Sequence, residues 1–291
     1  MGAEKRDPVT GRKTTGHEWN GIEELNTPVP RVVTFFLIAT TLFAIVYWIL
    51  MPAWPTGVSY TKGLLGFDQR AVVMQQVADA AAVRAAWTER VSAASFGEIS
   101  GDAVLMRHVR DTGRTLFIDN CAACHGVNGT GGPGFPNLAA GVWSRGGEPE
   151  TIAETIRIGI NSTTSRTRIS QMLAFGRDGV LKRDKILSVT AYTRSLSGQT
   201  LEARETAMLP AGREVFAAHC ASCHGPAGSG KRDIGAPDLT DSIWVYGGDA
   251  QSVYTSIHAG RQGHMPHWSE RLSPTEIKIL ALYVGTLGDG K

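Results

Sequence analysis

The sequence is short of spare cysteine, net charge and long apolar runs, and each shortage narrows what the chain can be. Its 291 residues include only four cysteines, all inside two Cys-x-x-Cys-His motifs, so no thiol remains for a separate disulfide framework. The formal net charge is only +2, too small to imply nucleic acid or a strongly acidic substrate as partner. Charged residues make up 19% and hydrophobic ones 42%, which argues against disorder and allows more than one small core. No alternating strand pattern occurs in the cysteine-bearing part of the chain, which leaves an all-α class.

One long apolar run is present. Val32 to Met51 holds twenty residues without a charge, and as a helix rising about 1.5 Å per residue it spans roughly 30 Å of hydrocarbon. Tyr47, Trp48 and Trp54 gather at its C-terminal end, where amphipathic rings favour the interface. Thirty mostly polar residues precede it and bulky Met-Pro-Ala-Trp-Pro follows; a cleaved signal peptide has a shorter apolar core and small residues at its end. A retained single-pass anchor is expected over 32–52. Arg12, Lys13 and Arg31 before it, against Lys62 and Arg70 after, lean toward an N-terminus inside. Beyond the anchor, FDQRAVVMQQVADAAAVRAAWTERV predicts a helix after an Asp68 N-cap, within a helical spacer over 53–107. Met74 and Met106 there read as packing residues.

The cysteines define a repeat. Cys121-Ala-Ala-Cys124-His125 and Cys220-Ala-Ser-Cys223-His224 lie 99 residues apart, and their flanks repeat too. GRTLFIDNCAACHG aligns with GREVFAAHCASCHG, and Pro136-Asn-Leu-x4-Trp143-x2-Gly-Gly aligns with Pro237-Asp-Leu-x4-Trp244-x2-Gly-Gly. A period of about 100 exceeds solenoid repeats and implies two copies of a small domain, expected at 108–199 and 200–291.

Two cysteines three apart on a helical turn can add across the two vinyl groups of a haem, with the adjacent histidine placed to ligate iron. Cys121, Cys124, Cys220 and Cys223 are therefore the expected covalent haem sites, and His125 and His224 the proximal ligands. A zinc site requires four closed ligands, and a thioredoxin-like Cys-x-x-Cys requires a βαβ setting that is absent. Gly225 to Arg232 imitates a phosphate loop, G-x-x-x-x-G-K-R. No strand precedes it, Arg232 replaces the hydroxyl needed for magnesium, and Gly225 already belongs to the haem motif. For the sixth iron position, the soft thioether of methionine suits electron transfer. Met172 lies 47 residues after His125 and Met265 lies 41 after His224, at matching places before each final helix. Pairing within each repeat is expected, His125 with Met172 and His224 with Met265. His258, His264 and His267 crowd Met265 as rival ligands. His108 and His219 read as surface or packing residues, and Trp143 and Trp244 as haem contacts.

The repeats resemble class I cytochrome c domains. Both show G-x-x-x-F-x-x-x-C-x-x-C-H, from Gly113 and Phe117 and from Gly212 and Phe216. In that family the glycine and aromatic let the first helix cross the last, where Tyr192 and Tyr283 sit here. The resemblance also implies that Pro136 and Pro237 offer their carbonyls to the proximal histidines. The whole chain resembles the dihaem subunit III of cbb3-type cytochrome c oxidases, the CcoP or FixP family. Its head, residues 1–31, carries HEWNGIEELNTPVPR at 17–31, similar to that family's H-x-W-D-G-I-x-E-x-N-x-P-x-P signature. One departure is Met172-Leu173 where the family's first domain has Met-Pro, which removes a loop constraint.

The resemblance implies two covalently bound haem c groups and no bond-breaking chemistry in this subunit. It implies electrons taken from a soluble or membrane-bound cytochrome c, or the bc1 complex, and passed to the monohaem cytochrome subunit and the catalytic haem-copper subunit. It also implies a bacterial inner-membrane location, with the head cytoplasmic and the haem domains periplasmic. A stand-alone membrane-tethered electron shuttle and a dihaem peroxidase are the alternatives.

Overall fold

The computed structural model describes residues 5–288, so the first four residues of the head and the last three of the second expected domain lie outside the described residues. The chain forms two compact units, Met1–Ala82 and Val83–Lys291. In the first, strands β1 (Thr14–Trp19) and β2 (Ile22–Leu25) pair antiparallel. Between them Asn20 and Gly21 have φ of 49° and 85°, the double positive φ of the tight hairpin turn that Asn-Gly favours. Among the described residues the expected helices are thus joined by one short hairpin.

Helix α1 (Arg31–Leu50) has no buried residue. Its apolar surface runs all round, as in a helix that meets lipid rather than a protein core, and it is long and apolar enough to cross a membrane. The amides of Leu64 and Leu65 donate to the carbonyls of Ile49 and Leu50 at 2.9 and 3.0 Å, satisfying groups that a helix end leaves open. Helix α2 (Gln69–Ala93) begins where expected: Asp68 Oδ1 accepts from the Ala71 amide at 3.1 Å. Met74 on it is exposed.

The second unit is helical. It holds α3 (Phe96–Gly101), α4 (Ala103–Asn120), α5 (Ala122–His125), a 3-10 turn (Leu138–Ala140), α6 (Pro149–Ile158), α7 (Arg183–Leu196) and α8 (Ala203–Ala207). It continues with α9 (Leu209–His219), α10 (Ala221–His224), α11 (Ala250–Ala259) and α12 (Pro274–Thr286). The starts are legible in sequence. Asp102 caps α4, Asp249 caps α11, and Ser273 with Glu276 closes a reciprocal capping box on α12.

The packing differs from the repeat order. One core joins α4 and α6 to α12, and a second joins α9 and α11 to α7. Each first helix is therefore crossed by the final helix of the other repeat. The second core uses the continuous stretch from Met172 to Ile257, whereas the first draws on Val91 to Ile156 and then on Met265 to Leu287. One module is inserted into the other, and the inserted one has its closing helix first in sequence. The contiguous limits 108–199 and 200–291 follow the repeat but do not delimit the packing units.

The expected glycine-aromatic crossing is built, with exchanged partners. A Cβ on Gly113 would lie 2.5 Å from Tyr283 Cβ, and one on Gly212 would lie 2.1 Å from the Ser188 carbonyl oxygen. Phe117 and Phe216, wholly buried, face Tyr283 and Tyr192 with ring centroids 5.7 and 5.3 Å apart. Burying each phenylalanine contributes about 1.5–3 kcal/mol. Met106 packs into the first core, as its sequence context suggests.

Lys278 on α12 donates to the carbonyls of Val91, Ser92 and Ala94 at 3.1, 2.9 and 2.8 Å. A cation there meets the negative end of α2 and its unpaired carbonyls. Lys278→Met should lower the unfolding free energy by about 1–3 kcal/mol, read from denaturant unfolding followed by helix dichroism.

Candidate functional site

Both cysteine motifs sit at a helix end. Cys121 caps α4 and Cys220 caps α9, and each following turn is closed by an amide of the histidine, His125 or His224, donating to that cysteine's carbonyl at 3.0 and 2.9 Å. The turn sets cysteine and cysteine three apart along one side. The first of each pair is half-buried and the second exposed. Burial, with the neighbouring thiol adding to it, pushes Cys121 and Cys220 up to about 11.

The imidazoles are held as the proline expectation requires. His125 Nδ1 lies 3.1 Å from the Pro136 carbonyl, and His224 Nδ1 lies 3.0 Å from that of Pro237. A carbonyl only accepts, so Nδ1 carries the proton and Nε2 is left with its lone pair. Burial lowers both histidine pKa values, against the opposing carbonyl bond, and so favours the neutral ring that metal ligation needs. Among the described residues no three of His, Cys, Asp and Glu cluster as a metal site. Two thiols beside one free Nε2 lone pair in each motif would hold a covalently attached porphyrin, and they supply only three of the four ligands that tetrahedral zinc needs.

The loop that imitates a phosphate cradle uses its amides internally. Gly228 donates to Gly225, Gly230 to His224 and Lys231 to Ala236, at 3.1, 2.8 and 3.0 Å. Helix α10 precedes it, where a phosphate loop follows a strand.

The methionines follow the exchanged helices. Met265, Cys121, Ala122 and Trp143 each pack against the first core, and Met172, Cys220, Ala221 and Trp244 against the second. The pairing expected within each repeat is thus not the one the fold brings together. The exchange happens after α6 and α11. Ile160 and Met265 exchange amide-to-carbonyl bonds of 2.9 and 2.9 Å, while Met172 and Arg261 exchange bonds of 2.8 and 3.1 Å. Gly159 and Gly260 allow these close approaches: a Cβ on either would lie 2.4 or 2.5 Å from the carbonyl oxygen of Met265 or Met172.

Two of the three rival histidines are engaged elsewhere. His258 stacks on Tyr254 and lies against Gly176, where a Cβ would meet its ring at 2.3 Å. His267 approaches Glu270 at 3.4 Å, and His264 is exposed. His108 stacks on Trp87, and His219 meets Phe175 edge-on. Sequence reading missed Asn161, whose amide nitrogen donates to the carbonyls of Ser170 and Gly263 at 2.7 Å each. It ties together the segments leading to both methionines. Its φ of 48° suits asparagine, but the other repeat has no counterpart that could have drawn attention to it.

The missing proline after Met172 leaves the methionine held by the same two-way backbone pairing as Met265. Leu173→Pro, copying Met265-Pro266, should add about 0.4–1 kcal/mol of stability by restricting the unfolded chain, measured by thermal unfolding.

Helix-end Cys-x-x-Cys-His turns, carbonyl-oriented imidazoles and half-buried methionines, in a chain with one apolar N-terminal helix, define a membrane-anchored c-type cytochrome carrying covalent haem c. Comparison with known proteins narrows this. Residues 11–58 match the N-terminal domain of cytochrome oxidase-cbb3, FixP; residues 111–197 match cytochrome c; and residues 207–284 match cytochrome c oxidase, cbb3-type, subunit III. The chain is 47% identical over 287 residues to a cbb3-type cytochrome c oxidase subunit FixP of Bradyrhizobium sp. (strain ORS 278), covering 98% of both chains. It is 42% identical over 299 residues to a subunit CcoP of Azospirillum sp. (strain B510), covering 100% of both, and 40% identical over 279 residues to one of Cereibacter sphaeroides, covering 96% of this chain and 95% of the other. The chain belongs to the CcoP/FixP family, the electron-transfer subunits of cbb3-type cytochrome c oxidases.

Proposed function

We propose that the chain carries two haem c groups, attached at Cys121 and Cys124 and at Cys220 and Cys223. The axial pairs are His125 with Met265 and His224 with Met172. The observation that carries this reading is that each cysteine turn shares its core with the methionine of the other repeat. Haem c, when bound, supplies a one-electron ferric and ferrous couple.

The protein groups prepare that couple. Pro136 and Pro237 hold the imidazoles in one tautomer and orientation. The methionine thioethers favour the ferrous state, and the backbone pairings of Met172 and Met265 fix where the sulfurs are presented. A methionine for each position argues against a peroxidase, which needs an open or displaceable site. The subunit accepts electrons from a soluble or membrane cytochrome c, or the bc1 complex, and delivers them to the monohaem and haem-copper subunits. The head faces the cytoplasm and both cytochrome modules the periplasm, where covalent haem attachment takes place.

Purification in mild detergent tests the assignment. A 31.2 kDa chain carrying two haems and travelling with a large multi-span haem-copper subunit is expected. A consistently solitary cytochrome overturns the oxidase role and supports the tethered shuttle.

A further inference from the structure

The exchanged modules are latched by two side chains from equivalent places in the repeats. Trp143-Ser-Arg145-Gly-Gly corresponds to Trp244-Val-Tyr246-Gly-Gly. Arg145 leaves the loop of the first repeat and enters the surroundings of the second cysteine motif. Its guanidinium donates to the carbonyls of Asp233 at 3.1 Å and Ile234 at 2.9 Å, and to that of Ile169. Asp233 and Ile234 precede Pro237, which orients His224; Ile169 precedes Met172. Arg145 therefore clamps the proximal and distal segments of one site together.

Tyr246 does the mirror-image task. The Val245 carbonyl beside it accepts from the Gly134 amide at 2.8 Å. Its ring would lie 3.6 Å from a Cβ on Gly134, and its hydroxyl 3.3 Å from one on Gly263, next to the segments holding Pro136 and Met265. The geometry is shared but the charge is not. One clamp ends in a half-buried guanidinium and the other in a phenol, over whose ring Arg261 lies at 4.3 Å. The ionised groups acting on Arg145 are Arg168, which repels it, and Asp233, which attracts it.

We propose that Arg145 is a positioning and potential-setting residue for the haem at Cys220, Cys223 and His224: a fixed cation between the segments that hold His224 and Met172, raising that haem's midpoint potential. This rests on the two-haem reading above. Reduction lowers the positive charge at iron by one, so a nearby cation in a poorly solvated setting favours the ferrous form. Because the guanidinium belongs to the other repeat's loop, the potential of one module depends on the docking of its neighbour.

The test is a spectroelectrochemical titration of the detergent-purified complex, with haem content measured first. A wild-type chain lacking haem at Cys220 and Cys223 removes the underlying reading; two haems leave the present proposal to stand alone. Arg145→Gln should lower the midpoint of the His224 haem by on the order of tenfold in its ferrous-to-ferric ratio, about 59 mV for one electron. Arg145→Lys, which keeps the charge but not the three-carbonyl fork, should recover most of that shift. Asp233→Asn removes the attracting carboxylate and leaves its backbone oxygen in place for Arg145, so it should raise the same midpoint. An unchanged midpoint in Arg145→Gln, an Arg145→Lys variant that falls as far, or an Asp233→Asn variant that does not rise overturns the proposal.

Discussion

Replacing Met172 with His lowers the midpoint of the haem at Cys220 and Cys223 and leaves that at Cys121 and Cys124 nearly where it was. Met172 packs on the core that holds Cys220 and Trp244, although it lies in the repeat that begins with Cys121. Imidazole is a stronger donor to ferric iron than a thioether, and axial ligation helps spread haem potentials over roughly 0.8 V. A fall on the order of 100 mV or more is expected. The haems are told apart by repeating the titration in a chain with Cys121→Ala and Cys124→Ala. There a single remaining haem should still respond to Met172→His and ignore Met265→His. Pairing within the repeats gives the opposite result: the remaining haem responds to Met265→His and ignores Met172→His.

Placing a side chain at the helix crossing has the other large effect. Gly212→Val puts branched carbon where a Cβ already lies 2.1 Å from the Ser188 oxygen and 2.8 Å from Tyr192 Cβ. The obstacle is backbone, so α7 and α9 must separate, and the Phe216–Tyr192 contact with them. Overpacking of this kind costs about 1–3 kcal/mol where neighbours can shift, and more is expected here. The chain should accumulate with reduced haem at Cys220 and Cys223, seen by haem stain and mass. Gly285→Ala is the control: nothing lies within 4 Å of a Cβ there, and the helix should gain up to about 1 kcal/mol. Equal losses in both variants would mean that the crossing is not what the glycine protects.

Local chemistry was legible in the sequence because it depends on residues close in the chain. The cysteine turns, the membrane-length helix and the Asp68 cap follow from spacing within a few turns, whereas the proline acceptors came from the family resemblance. The hairpin was missed: Asn20-Gly21 marks a tight turn, but its flanking residues alternate too weakly to mark strands. The exchange of final helices left no local trace. Gly113 and Gly212 meet equivalent tyrosines, so either Tyr192 or Tyr283 could satisfy either glycine by type. What decides is the reach of the chain after Gly159 and Gly260, and the cross-repeat backbone pairs that form there. Arg145 was unreadable for a related reason: its partners are carbonyl oxygens, which every residue supplies.

The insertion of one module within the other also sets an order of assembly. Synthesis proceeds from the N-terminus, and domains fold as their residues emerge. His125 precedes Met265 by 140 residues, and everything needed for the inner module is made in between. The first cysteine pair is thus available long before its core can close, whereas the inner module can close as soon as α11 is complete. Helix α12, which seals the first site, emerges only after the whole inner module, so a chain that stops short of α12 would present an inner module formed and an outer one still open.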